Sequence, residues 1–173
     1  MLRCVKMSLS KHPKAVRKRF TRRPIMARYT RIFAALDGGS TQEAVLERAI
    51  NLAEDNGAEL LLGHVIDSVP YEANGIDFVA LCDDGRARIE EDLKDLLDKA
   101  RNSEKIPSVK LEVRAGRIND TLAERLVQPF KPDLVICGAR GLSNIKYAFV
   151  GSVSTFLIRN MECDVLVVKP EVK

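Results

Sequence analysis

At 173 residues, 46% of them hydrophobic, the chain is sized for one globular domain plus an appendage, with a core that needs no staples. The net charge of +4 conceals a split: residues 1–28 hold ten Lys or Arg and no Asp or Glu, leaving 18 basic against 24 acidic residues in the rest. A body at −6 excludes a nucleic-acid surface spread across the fold, and no apolar run approaches the ~18 residues of a membrane span.

Residues 1–28 therefore stand apart as a basic N-terminal extension. They read as a tail for nucleic acid or an anionic membrane surface, as an address segment lacking the apolar core of a secretory signal, or as sequence upstream of a start at Met26. On each reading the few apolar residues do not offset the cost of ordering, so a poorly ordered segment is expected.

From residue 29 the pattern alternates strand and helix. Residues 29–36 read as the first strand. Ser40-Thr41-Gln42-Glu43 has the form of a capping box, with Ser40 as N-cap and Glu43 reaching back. The helix that follows carries Ala44, Leu46, Ala49, Ile50 and Ala53 at helical spacing and stops at Asn56-Gly57. A second strand spans 59–66, then a loop with Pro70 and Gly75. Residues 83–102 read as one long helix with Ile89, Leu93, Leu96, Leu97 and Ala100 as its buried stripe. A third strand at 109–113 alternates Val109, Leu111 and Val113 with charged residues. A short helix at 120–127 should end before Pro129. The apolar run 133–137 is the fourth strand, 152–161 the last helix and 164–168 the fifth strand. Such alternation specifies an α/β fold, a single domain at 29–170 with a doubly wound parallel sheet between helices.

The fourth strand runs into Gly138-Ala139-Arg140-Gly141, nine further residues, then Gly151-Ser152 at the start of the last helix. Glycines let the backbone approach an anion closely. The free N–H groups of a helix's first turn, with its partial positive charge, then face phosphates. Hydroxyls of Ser152 and Ser154 can add donors.

Gly-x-x-Gly-(nine residues)-Gly-Ser resembles the ATP-binding motif of the universal stress protein family. The likeness extends over roughly residues 29–170 and takes in the strands Ile32-Phe33-Ala34-Ala35-Leu36-Asp37-Gly38, Leu60-Leu61-Leu62-Gly63-His64-Val65-Ile66 and Asp164-Val165-Leu166-Val167-Val168-Lys169-Pro170. It implies five strands in the order 3-2-1-4-5. It also implies that Asp37 and Val65 hold the adenosine end of the nucleotide, while Gly138, Gly141, Gly151, Ser152, Val153 and Ser154 line ribose and phosphates. The order puts Asp37 and Gly138 at the crevice beyond the strand ends, where ligands bind in such sheets. A carboxylate repels a triphosphate, so Asp37 belongs at the base or ribose; the plain alternative is a turn residue capping its own loop. For Val65 the alternative is core packing. Arg140 and Lys146 either neutralise phosphate or are solvated, and His64 reads as a packed or hydrogen-bonded histidine. In this chain Gly39 and Gln42 stand where the family often has serines, and Asp164 follows Cys163 where it often has proline.

Four cysteines without paired spacing, beside two histidines, exclude a zinc site and fit a reduced, cytoplasmic setting. Cys137 reads as a small core residue. There is no Gly-x-x-x-x-Gly-Lys-Ser/Thr, no Gly-x-Gly-x-x-Gly after the first strand and no Ser-Gly-Gly-x-Asp-Ser. Nor does any nucleophile stand paired with a base. The expectation is an ATP-binding sensor in which the nucleotide orders 139–150 and changes a surface seen by a signalling partner. Mg2+ would arrive on the phosphates, with Ser152 as its candidate protein ligand. The alternatives are a slow ATPase or nucleotide-dependent transferase, and a structural stress protein with an empty cleft. The apolar fifth strand is an edge in need of a partner; the resemblance implies a homodimer through 164–169, and Lys169-Pro170 could instead protect the edge of a monomer.

Overall fold

The structure, a computed structural model, describes residues 29–71, 75–139 and 151–169. The basic extension and the Arg140–Gly141 end of the glycine loop lie outside them. Five parallel strands, β1 (Arg31–Leu36), β2 (Glu59–Asp67), β3 (Val109–Gly116), β4 (Leu134–Gly138) and β5 (Asp164–Val168), form one sheet in the order β3-β2-β1-β4-β5. This is the expected order.

The inner strands are apolar almost throughout because both faces are covered. Side chains alternate between faces. Ile32, Ala34, Leu36, Leu60 and Leu62 enter one core with residues of α1 (Gln42–Asn56), α2 (Phe78–Asp92) and α3 (Lys94–Arg101). Phe33, Leu61, Val135 and Cys137 enter the other, under the segment 118–130 and α6 (Ser152–Asn160).

Three elements differ from expectation. The first is the start of α1, where Thr41 rather than Ser40 precedes the helix and no side chain caps it. Asp37 instead takes the Gly39 N–H through Oδ1 at 2.9 Å, Gly38 turns at φ 71°, and the Gly39 carbonyl accepts from Gln42 N at 3.2 Å. Backbone geometry has replaced the capping box. The second is the long helix, which begins earlier, at Phe78. Its N-cap Asp77 accepts from Val79 N at 2.9 Å and Ala80 N at 3.3 Å. It is divided at Leu93 (φ −114°, ψ 20°), which keeps Ile89, Leu93 and Leu97 all in the core.

The third is the short helix, which continues past Pro129. It runs as α4 (Ile118–Thr121), a π-helical turn (Leu122–Val127) and α5 (Gln128–Phe130). A proline lacks an N–H and crowds the carbonyl four residues back. The wider turn before it relieves both problems. The helix ends where Lys131 turns left-handed at φ 50°. No helix among the described residues is long and apolar enough to cross a membrane.

Candidate functional site

Because β1 and β4 are neighbours in the sheet, their carboxyl ends lie side by side, and α1 and α6, the helices next in the chain after each, pack on opposite faces. A cleft of about 150 Å³ occupies this point. Seven of the residues expected at a nucleotide site line it together: Asp37, Val65, Gly138, Gly151, Ser152, Val153 and Ser154. Arg140, Gly141 and Lys146 fall outside the described residues.

Each side chain has a local reason for its place. Asp37 is exposed at the end of β1 and its Oδ1 holds the Gly39 amide, so the turn reading is present in the structure; Oδ2 has no hydrogen bond among the described residues. Val65 lies on the same face as Leu61 and packs against the second core while also lining the cleft. Its neighbour His64 points to the other face. The ring Nδ1 lies 2.9 Å from the Leu36 carbonyl, to which an Nδ1–H donates. That bond ties β2 to β1 and leaves His64 out of the cleft.

α6 begins at Gly151, which has extended geometry (φ −63°, ψ 167°) and no side-chain cap; the Gly151 carbonyl accepts from Thr155 N at 2.8 Å. The N–H groups of residues 152–154 precede that first helical bond, and among the described residues no side chain caps the dipole's positive end at the cleft wall.

Ser152 is exposed. Ser154 is not: it is 2% exposed, and its hydroxyl donates to the Gly138 carbonyl at 2.8 Å. The Ser154 hydroxyl, expected as a donor for phosphate, is here engaged by the protein's own backbone. Cys137 forms part of the cleft floor, where burial pushes its thiol up and the Ser154 hydroxyl offsets some of that rise. A neutral, enclosed thiol is no nucleophile at ordinary pH.

Reading the sequence missed the opposite wall. Ile118 and Leu122, one helical turn apart, face the cleft together with Ala35 and Leu36. The signal was the i, i+4 apolar pair after β3, overlooked because the helix expected at 120–127 left Ile118 outside it. Among the described residues no cluster of three or more His, Cys, Asp or Glu could hold a metal.

An apolar wall, one carboxylate and a rank of open amides can take a ligand with an apolar ring, hydrogen-bonding edges and an anionic end. The family model described as the universal stress protein family matches residues 28–169. The chain belongs to the universal stress protein family. Among its relatives in that family, a protein of Staphylococcus haemolyticus is 30% identical over 146 residues, covering 84% of this chain and 88% of its own. One from Staphylococcus aureus strain USA300 is also 30% identical, with 84% and 87% covered. In three dimensions the chain is similar to the universal stress protein UspA from Lactobacillus plantarum, with a TM-score of 0.68, 27% identity and coverage of 82% and 99%. It also shares its fold with a universal stress protein solved in complex with cAMP, at a TM-score of 0.57, 24% identity and coverage of 82% and 98%.

Proposed function

We propose that this universal stress protein binds an adenine nucleotide in the cleft, ATP being the ligand that the Gly-x-x-Gly-(nine residues)-Gly-Ser spacing implies. The observation that carries the reading is the first turn of α6, without a side-chain cap among the described residues, beside Gly138 in the cleft wall. The first amides of a helix have no partner within it, and an anion is one group that can supply it. Asp37, with one oxygen uncommitted, accepts a hydrogen bond from the base or ribose. Val65, Ile118 and Leu122 offer an apolar surface for the base. Mg2+ bound to the phosphates neutralises part of their charge, and the Ser152 hydroxyl is the protein ligand we assign to it. The cAMP complex of a protein of like fold is a nucleotide complex in the same architecture.

The protein acts as a sensor: occupancy changes the surface around the cleft, and a partner reads the change through its differential affinity for the two states. The buried Cys137 and the outward-turned His64 supply neither nucleophile nor base to the cleft, which favours binding over turnover. A reduced, cytoplasmic setting suits Cys82, Cys137 and Cys163, which are free thiols. β5 pairs with a second copy. Val165, Leu166, Val167 and Val168 are each partly exposed along it. The opposite edge, β3, is guarded by Lys110, Glu112 and Arg114 and by an Arg86 Nη1 bond of 2.7 Å to the Leu111 carbonyl.

Thermal unfolding with and without Mg-ATP tests the reading. At 100 times Kd the nucleotide adds roughly 2.7 kcal/mol of stability; an unmoved transition at millimolar Mg-ATP contradicts it. Nucleotide released by denaturing the purified protein separates sensor from enzyme. Intact ATP supports the sensor, whereas ADP with steady phosphate release points to the slow ATPase.

A further inference from the structure

The strand and helix that make up the phosphate side of the cleft are far apart in the chain and close in space. The start of α6 must be fixed relative to the end of β4 for the two to form one wall. One polar contact among the described residues does this directly: Ser154 Oγ on the Gly138 carbonyl, 2.8 Å, across 16 residues of sequence. Gly138 itself is closely packed on its other sides. Thr41 packs on it from the opposite face of the sheet, so closely that a Cβ at 138 would lie 2.5 Å from Thr41 Oγ1. On its other side Ala139 N donates to the Val168 carbonyl at 2.7 Å and holds the strand end to β5.

We propose that Ser154 is a positioning residue for the phosphate end of the nucleotide, acting through Gly138 and not through contact with the ligand. The inference rests on the nucleotide reading above. The Ser154 hydroxyl latches the first turn of α6 to the closely packed end of β4, which fixes the N–H groups of residues 152 and 153 where they meet an anion. A donor array held in place before binding loses little freedom when the ligand arrives, and a 2% exposed hydroxyl exchanges poorly with water. The residues assigned to the adenosine end, Asp37 and Val65, lie at the end of β1 and on β2 and do not depend on the latch.

The test compares ATP and adenosine binding by calorimetry in wild-type protein and Ser154→Ala, with hydrogen exchange of the segment 151–157 in the nucleotide-free proteins. The expected result is ATP affinity about five- to tenfold weaker, adenosine affinity within about twofold, and faster exchange across 151–157 in the variant. Unchanged ATP affinity, or an equal loss for adenosine, overturns the proposal. So does unchanged exchange in the nucleotide-free variant, because a hydroxyl that touched phosphate directly would leave the empty protein as it was. Should Ser154→Ala not fold, Ser154→Cys keeps the shape with a weaker donor and is read by the same three measures. Wild-type protein that binds neither ligand defeats the nucleotide reading itself, whereas wild-type binding with an unresponsive variant defeats this inference alone.

Discussion

Gly138 answers a demand from the fold and, in the proposed function, a second one from the ligand. The space where its Cβ would stand is taken by Thr41, whose Oγ1 and Cβ lie 2.5 Å and 3.2 Å away. Gly138→Ala is therefore expected to cost about 1–3 kcal/mol through overpacking, measured by urea denaturation. In a Thr41→Ala background the same change should cost clearly less, since its nearest obstacle is gone; equal costs in both backgrounds would contradict the contact. A glycine at the end of β4 was legible from its spacing alone. Its collision with Thr41 was not, because the contact joins the start of α1 to the end of β4 and exists only once the strands are neighbours. Asp37 and Ser154 are similar cases. The residue type and position could be read, but the choice between binding a ligand and bracing the protein depended on which partner each met in space.

The register between β1 and β4 also fixes the cleft, and one carboxylate at the far end of the sheet secures it. Asp133, just before β4, accepts Thr30 N and Thr30 Oγ1 at 2.7 Å each and Arg31 N at 3.1 Å. Partial burial raises its pKa, but these hydrogen bonds outweigh burial and hold the carboxyl below its usual value. A depressed carboxylate contributes stability that is present above the unfolded pKa of about 3.9 and disappears as pH falls through the lower folded value. Asp133→Asn should then be less stable than the parent at pH 7, by about 1 kcal/mol after allowance for solvent screening. The gap should narrow below about pH 4. Chemical denaturation across pH reads it, and a gap constant with pH would contradict the assignment.

The elements themselves were legible where periodicity was strong: the five strands and the cores of α1 and α6. Helix ends were harder. The capping box gave way to an Asp37–Gly39 turn, Leu93 divided a stripe that reads as continuous, and Pro129 was absorbed by a π-helical turn. In each, backbone hydrogen bonding or core packing overrode a local preference, worth about 1 kcal/mol for a cap and about 3 kcal/mol for a proline inside a helix.

The whole molecule is a sheet with two unlike edges, and the strand order was legible because alternating strand and helix leave few right-handed topologies. β3 is guarded by charge, while β5 leaves four apolar residues partly exposed. Light scattering on the full chain is expected to give twice the monomer mass, and a monomer at high concentration would remove β5 as an interface. The largest claim concerns the other end of the sheet, where main-chain amides at the start of α6 hold the anionic end of a nucleotide. Gly151 tests it best, because φ −63° and ψ 167° suit any residue and a side chain there disturbs the space in front of the amides more than the helix behind them. In Gly151→Val, calorimetry should show Mg-ATP affinity reduced by more than tenfold while the thermal transition of the nucleotide-free protein stays within a few degrees of wild type. Undiminished ATP affinity in a folded Gly151→Val protein would contradict the account.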